Sequence, residues 1–135
     1  MSLDLTSLEK AIGQLTEGLE EARLTPTSEL ARDGVIQRFE YTYELSHRTL
    51  RRYLQQSEAN IDDTRELSFP GIVRLGWERG LLDGNWERWI EYRKARGTTT
   101  HTYNQEKAAA VFETIPKFLQ DASFLLRQLK ARAKQ

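Results

Sequence analysis

Cysteine is absent from this 135-residue chain, which excludes disulfides, thiolate nucleophiles and cysteine-ligated zinc. Histidine is scarce. His47 and His101 are the only two, and they do not stand at the His-Glu-x-x-His spacing of a helical zinc site. The adjacent acids Asp62 and Asp63 sit in a polar stretch where neighbouring carboxylates do not converge on an ion. The expectation is no metal and no cofactor. No apolar run approaches the roughly 18–20 residues that span a bilayer. Met1-Ser2-Leu3-Asp4 has neither the basic region nor the apolar core of a signal peptide. A cytoplasmic protein with no membrane partner is therefore expected. An excess of one charge is also missing, since Lys+Arg 20 balances Asp+Glu 20. General nucleic-acid coat proteins are usually basic, so any RNA contact has to be local. The length fits one domain over residues 1–135, large enough to bury a core.

What the chain does have is helical periodicity. Leu8, Ile12, Leu15, Leu19 and Ala22 step by four and three, one stripe of an amphipathic helix. Thr25-Pro26-Thr27 breaks it. Ile36, Phe39, Tyr43, Ser46, Leu50 and Tyr53 predict a second helix to about Gln55. Residues 57–68 are polar and acidic (Glu58, Asp62, Asp63, Glu66) and read as a loop. Ser68 is placed to cap a short helix with Pro70 in its first turn and Ile72, Val73, Leu75 and Trp77 along it. Gly80 and Asp83-Gly84-Asn85 mark turns. A fourth helix is expected from about Asn85, with Trp86, Trp89, Ile90 and Arg93 on one face. Gly97 would end it. The last helix starts near Asn104 and carries Val111, Ile115, Phe118, Leu119, Ala122, Leu125, Leu126 and Leu129. Pro116 inside it should kink or split it. No strand pattern competes. The fold class is all-α: an antiparallel up-and-down bundle of four main helices plus a short extra one. Tyr41, Leu45 and Phe124 point away from their own core stripes, as single exposed residues or as a second buried face for a partner or homodimer.

One turn concentrates chemistry. Arg96-Gly97-Thr98-Thr99-Thr100-His101-Thr102-Tyr103-Asn104 joins two helical patterns. Arg96 falls on the inner face of the fourth helix, pointing inward or into a groove. Arginine holds phosphate through a planar fork of donors, and histidine titrates near neutrality. The pair suggests phosphodiester chemistry or a phosphate-bearing partner. Taken alone, Arg96 is equally compatible with a bond to the last helix carbonyls or to a core carboxylate, and His101 with a satisfied residue at a helix start.

Arg-x4-His-x-Tyr is the signature of HEPN domains. More closely, the chain resembles the nucleotidyltransferase substrate-binding protein family, the HEPN partners of minimal nucleotidyltransferases. Three stretches carry the resemblance: Gln37 to Leu45 with Thr49-Leu50 and Tyr53-Leu54; Gly80-Leu81-Leu82 leading to Trp86 and Trp89; and Arg96 to Asn104 with Ile115-Pro116-Lys117-Phe118-Leu119. The resemblance implies a helical bundle that dimerises, bringing two Arg/His motifs to a shared cleft. It also implies a minimal nucleotidyltransferase as partner, in a toxin–antitoxin pair. The HEPN protein is then an RNA-cleaving toxin, and its partner transfers AMP to the motif tyrosine. Carried over, Arg96 and His101 are catalytic and Tyr103 is the modification candidate. The chain departs from the family at Gly97, where a polar residue such as asparagine is common, and at His47, where relatives often show tryptophan.

The chemistry can be argued from the residues. RNA supplies its own nucleophile, the 2′-hydroxyl. A metal-independent ribonuclease then needs an acid or base near neutrality, as His101 offers. It needs positive charge at the pentacoordinate phosphate, as Arg96 offers. Thr98, Thr99, Thr100 and Arg93 are phosphate-binding candidates, beside the N–H groups that open the last helix. One histidine per chain is a thin acid–base set, and a symmetric dimer would double it. The alternative function is a non-catalytic substrate-binding subunit of the nucleotidyltransferase.

Overall fold

The computed structural model describes residues 3–57 and 67–133. The chain runs through α1 (Thr6–Leu24), α2 (Glu29–Ser57), α3 (Phe69–Glu78), α4 (Arg88–Gly97), a 3₁₀ turn (Thr99–His101) and α5 (Gln105–Ala133). Among the described residues there is no strand. Most of the acidic loop expected between the second and third helices lies outside them.

Cross-helix contacts give the directions. Lys130 near the end of α5 pairs with Glu9 at the start of α1, so those helices are antiparallel. Gln105 Nε2 donates to Glu29 Oε1 at 3.1 Å, so α2 and α5 start together. Arg88 at the start of α4 meets Asp121 well along α5, and α4 then returns toward the start of α5. The four helices α1, α2, α4 and α5 alternate up and down, with α3 as the short extra helix between α2 and α4. This is the expected all-α bundle.

The stripes read from the sequence supply the core. Leu8, Leu15, Ile36, Phe39, Leu50, Ile115, Phe118 and Leu125 are all buried. Phe118 is the hub. Its ring meets Phe39 at 5.0 Å, Tyr92 at 5.2 Å and Trp89 at 5.8 Å between centroids, all edge to face, the arrangement that ring quadrupoles favour. Burying one such side chain contributes about 1.5–3 kcal/mol.

The ends of the elements follow local chemistry. The Ser28 hydroxyl accepts from Ala31 N–H at 3.1 Å, and the Ser68 hydroxyl accepts from Gly71 N–H at 3.4 Å, closing the starts of α2 and α3. Gly80 and Gly84 adopt φ of +78° and +59°, the left-handed region that favours glycine, and they form the expected turns.

Four details differ from the sequence reading. The fourth helix begins at Arg88 rather than Asn85, because the Asn85 side chain accepts from Glu87 N–H at 2.8 Å and residues 85–90 bond in i to i+3 turns. Its inner face is carried by Trp89 and Tyr92, both buried. Arg93 is exposed on that helix, with its guanidinium 4.8 Å from the Phe69 ring centre. Trp77 is exposed rather than packed. The last helix is unbroken across Pro116. Proline removes one backbone donor, but the buried Ile115 and Phe118 anchor the helix on either side of it.

Candidate functional site

The Arg96–Asn104 segment forms the corner between α4 and α5, against α2. Gly97 is the last residue of α4 and has an ordinary negative φ. It ends the helix as expected, and Thr98 caps it. The Thr98 hydroxyl donates to Ala95 O at 2.9 Å and the Thr99 hydroxyl to Arg96 O at 2.8 Å, satisfying terminal carbonyls. Thr99 is buried. Of the three threonines, Thr100 is the exposed one. Asn104 opens α5, its side-chain oxygen accepting from Lys107 N–H at 3.1 Å.

Arg96 leaves this corner and crosses to α2. Its Nε donates to Glu44 Oε1 at 3.0 Å, and Nη2 stands 3.4 Å from Glu40 Oε1. The side chain is 30% exposed, which places it in a groove. His101 and Tyr103 meet each other, with Nδ1 and the phenol oxygen 3.3 Å apart. Tyr103 is 79% exposed. The corner thus gathers Arg96, His101 and Tyr103, although no hydrogen bond joins Arg96 to His101 among the described residues. Beside it on α2 lies an open cleft of about 430 Å³ lined by Gln37, Glu40, Tyr41, Glu44, Leu45 and Arg48. Tyr41, read as pointing away from the core, is tied to α1 by a bond to Gln14 Oε1 at 2.7 Å.

Sequence reasoning missed two constellations. The first is the Glu40/Glu44 pair. Its signal was an i, i+4 pair of acids on α2, which ordinarily reads as a solvated face. The second is Asp121, only 3% exposed. Its carboxylate takes two bonds from Arg88 and one from the Tyr92 hydroxyl. The signal was a single acid within the apolar stripe of the last helix. Burial and the bond to Asp121 raise the Tyr92 phenol well above its ordinary value, and the bonds to Asp121 raise Arg88 in turn. Burial likewise raises Tyr43. Arg88, Tyr92 and Asp121 tie α4 to the middle of α5.

His47 is half-buried on α2, its ring 4.8 Å from Phe69 and 6.4 Å from Tyr43 between centroids. Its Nε2 is buried without a hydrogen-bond partner. Burial and then the nearby Arg51 push its pKa down, against Glu44. It is a flanking residue of the core. Among the described residues, no three His, Cys, Asp or Glu side chains are grouped to hold a metal ion, and no helix is long and apolar enough to cross a membrane.

Comparison with known proteins agrees with the fold. The family model described as "Nucleotidyltransferase substrate binding protein like" matches residues 3–131. The chain is 46% identical over 99 residues to a Haemophilus influenzae protein named probable ribonuclease HepT, covering 73% of this chain and 67% of that one. Among solved structures, HI0074 of Haemophilus influenzae superposes with a TM-score of 0.87 at 37% identity, over 94% of this chain and 99% of that one. HI0074 is described as revealing the fold of a substrate binding domain of a nucleotidyltransferase. A protein of Thermus thermophilus superposes with a TM-score of 0.73 at 34% identity, over 95% of this chain and 99% of that one.

Proposed function

The chain belongs to the nucleotidyltransferase substrate-binding protein family, and from that premise we propose that it is a metal-independent endoribonuclease subunit, partnered by a minimal nucleotidyltransferase in a cytoplasmic toxin–antitoxin pair. The observation that carries the reading is the α4–α5 corner. It presents a guanidinium, an imidazole and an exposed phenol within one short turn, and the last two are in contact. The similarity to a probable ribonuclease supports the same reading.

In this reaction His101 takes the proton from the RNA 2′-hydroxyl. The 2′-oxygen bonds to phosphorus, and the P–O5′ bond breaks. The products are a 2′,3′-cyclic phosphate and a 5′-hydroxyl. The leaving 5′-oxygen needs a proton, and in a homodimer the second copy's imidazole supplies it. Arg96 stabilises the charge that gathers on the phosphate oxygens. Thr100 and the amides that open α5 supply further anion contacts, and Arg93, one turn earlier on α4, adds positive charge.

The test incubates purified protein, Arg96→Ala and His101→Ala with mixed tRNA and mRNA in EDTA. Cyclic-phosphate ends from the wild type and from neither variant support the reading. Intact RNA throughout, with folded and unmodified wild type, overturns it. A second reading, a non-catalytic subunit that presents substrate to the nucleotidyltransferase, is favoured by the two carboxylates that already occupy Arg96. It predicts a complex with the same partner and no cleavage.

A further inference from the structure

Glu40 and Glu44 are four residues apart on α2, so they stand one above the other on one face of the helix. Arg96 bridges them unequally. Its Nε makes a hydrogen bond of 3.0 Å to Glu44. Its Nη2 stands 3.4 Å from Glu40, close enough for charge attraction but beyond the usual N–H···O range. Among the described residues, Nη1 makes no hydrogen bond. A guanidinium offers donors in two directions, along the Nε/Nη2 side and at the Nη1/Nη2 end. The side faces α2. Nη1 at the end is left without a hydrogen bond among the described residues, and paired donors of this kind can hold two phosphate oxygens side by side.

We infer that Glu44 is the positioning residue for Arg96 and that Glu40 is a counter-ion displaced by an incoming phosphodiester. This rests on the ribonuclease reading and extends that site to a second helix. An arginine side chain is long and rotamer-rich, and the neighbouring Gly97 has no side chain to confine it. A tether through Nε fixes the plane of the guanidinium and leaves its far end free. Only the direction of the Nε–H matters for this, so a neutral acceptor at position 44 serves as well as a carboxylate. Glu40 acts through charge instead. With both acids ionised, two negative charges surround one positive charge, and the nearer end of the fork is screened from an anion. The same two carboxylates line the 430 Å³ cleft on α2, so a strand seated there touches both of the acids that hold Arg96.

Two measurements on the full chain test this. In ¹⁵N-labelled protein, the Arg96 Nε–H signal is identified by its loss in Arg96→Lys. Glu44→Ala is expected to shift that signal and speed its exchange with water about tenfold, whereas Glu44→Gln and Glu40→Gln keep it protected. In cleavage of an oligoribonucleotide, Glu44→Ala is expected to lower kcat about 100-fold with a smaller change in KM, and Glu44→Gln to recover most of it. Glu40→Gln is expected to tighten RNA binding about threefold. Circular dichroism checks that each variant is folded. An Arg96 signal unmoved by Glu44→Ala, or equal kcat losses in Glu44→Ala and Glu44→Gln, overturns the positioning role. Weaker RNA binding by Glu40→Gln overturns the counter-ion role. If the wild type cuts no RNA, a signal that moves in Glu44→Ala still supports the tether, and the ribonuclease reading alone fails.

Discussion

The guanidinium of Arg88 closes on both oxygens of the Asp121 carboxylate, Nε to Oδ2 at 2.8 Å and Nη2 to Oδ1 at 2.6 Å. A third donor, the Tyr92 hydroxyl, completes the buried anion's partners, and Arg88 Nη2 also reaches Asp83 O at 2.9 Å. The network joins both ends of the Asp83–Tyr92 segment to the middle of α5.

Removing the anion leaves Arg88 and Tyr92 without their acceptor. Asp121→Ala should therefore cost about 3 kcal/mol, measured by chemical denaturation. Tyr92→Phe, which removes one bond to a charged group, should cost about 2 kcal/mol. A double variant, Arg88→Met with Asp121→Leu, should cost less than Asp121→Ala alone, because no partner is left stranded.

His47 makes stability depend on pH. Its folded pKa lies below the ordinary 6.5, so between those two values the unfolded chain binds more protons than the folded one. The contribution is fully present above 6.5 and is lost as pH falls through the folded value. Stability should decline as pH falls below 6.5. His47→Phe should flatten that part of the profile, since phenylalanine packs on Phe69 and Tyr43 without an unpartnered ring nitrogen. Melting temperatures of both proteins across pH decide this, and a parallel decline in the variant would assign the slope to other groups.

Gly97 is helical, and a Cβ built there meets nothing within 4 Å. Gly97→Ala should stabilise the protein by about 0.5–1 kcal/mol. Gly97→Asn, which introduces the residue type common in relatives, should fold normally. If asparagine contributes a phosphate contact, it should also raise RNA cleavage. Thermal melts and the EDTA cleavage assay read the two effects separately.

Tyr103 is exposed, and its hydroxyl meets the His101 ring. Attack of its oxygen on the α-phosphate of ATP would form a phenol–phosphorus bond and release pyrophosphate. Incubation with the cognate nucleotidyltransferase and ATP should add one AMP to the wild type and none to Tyr103→Phe, read by intact mass. The adduct would cover His101, so modified protein should lose cleavage and no longer arrest growth.

Much of this architecture was legible in the sequence. Stripes such as Leu8 to Ala22 and Val111 to Leu129 report which side of each helix is apolar, because residues three and four apart share a face. Ser68, Gly80 and Gly84 mark ends and turns through local hydrogen bonding and backbone freedom. The Arg96–Tyr103 corner was also visible, since its residues lie within one turn. Periodicity gives a helix only its orientation about its own axis, whereas which side chains meet across helices also depends on axial offset and approach. Arg96 and Glu44 are 52 residues apart, and Arg88 and Asp121 are 33 apart. Their pairing therefore appeared only when α2, α4 and α5 packed around Phe118. Local pattern was enough for the helices, the core faces and the place of the motif. Packing chose which carboxylates hold the two arginines, because that choice depends on distances between helices that no local pattern encodes.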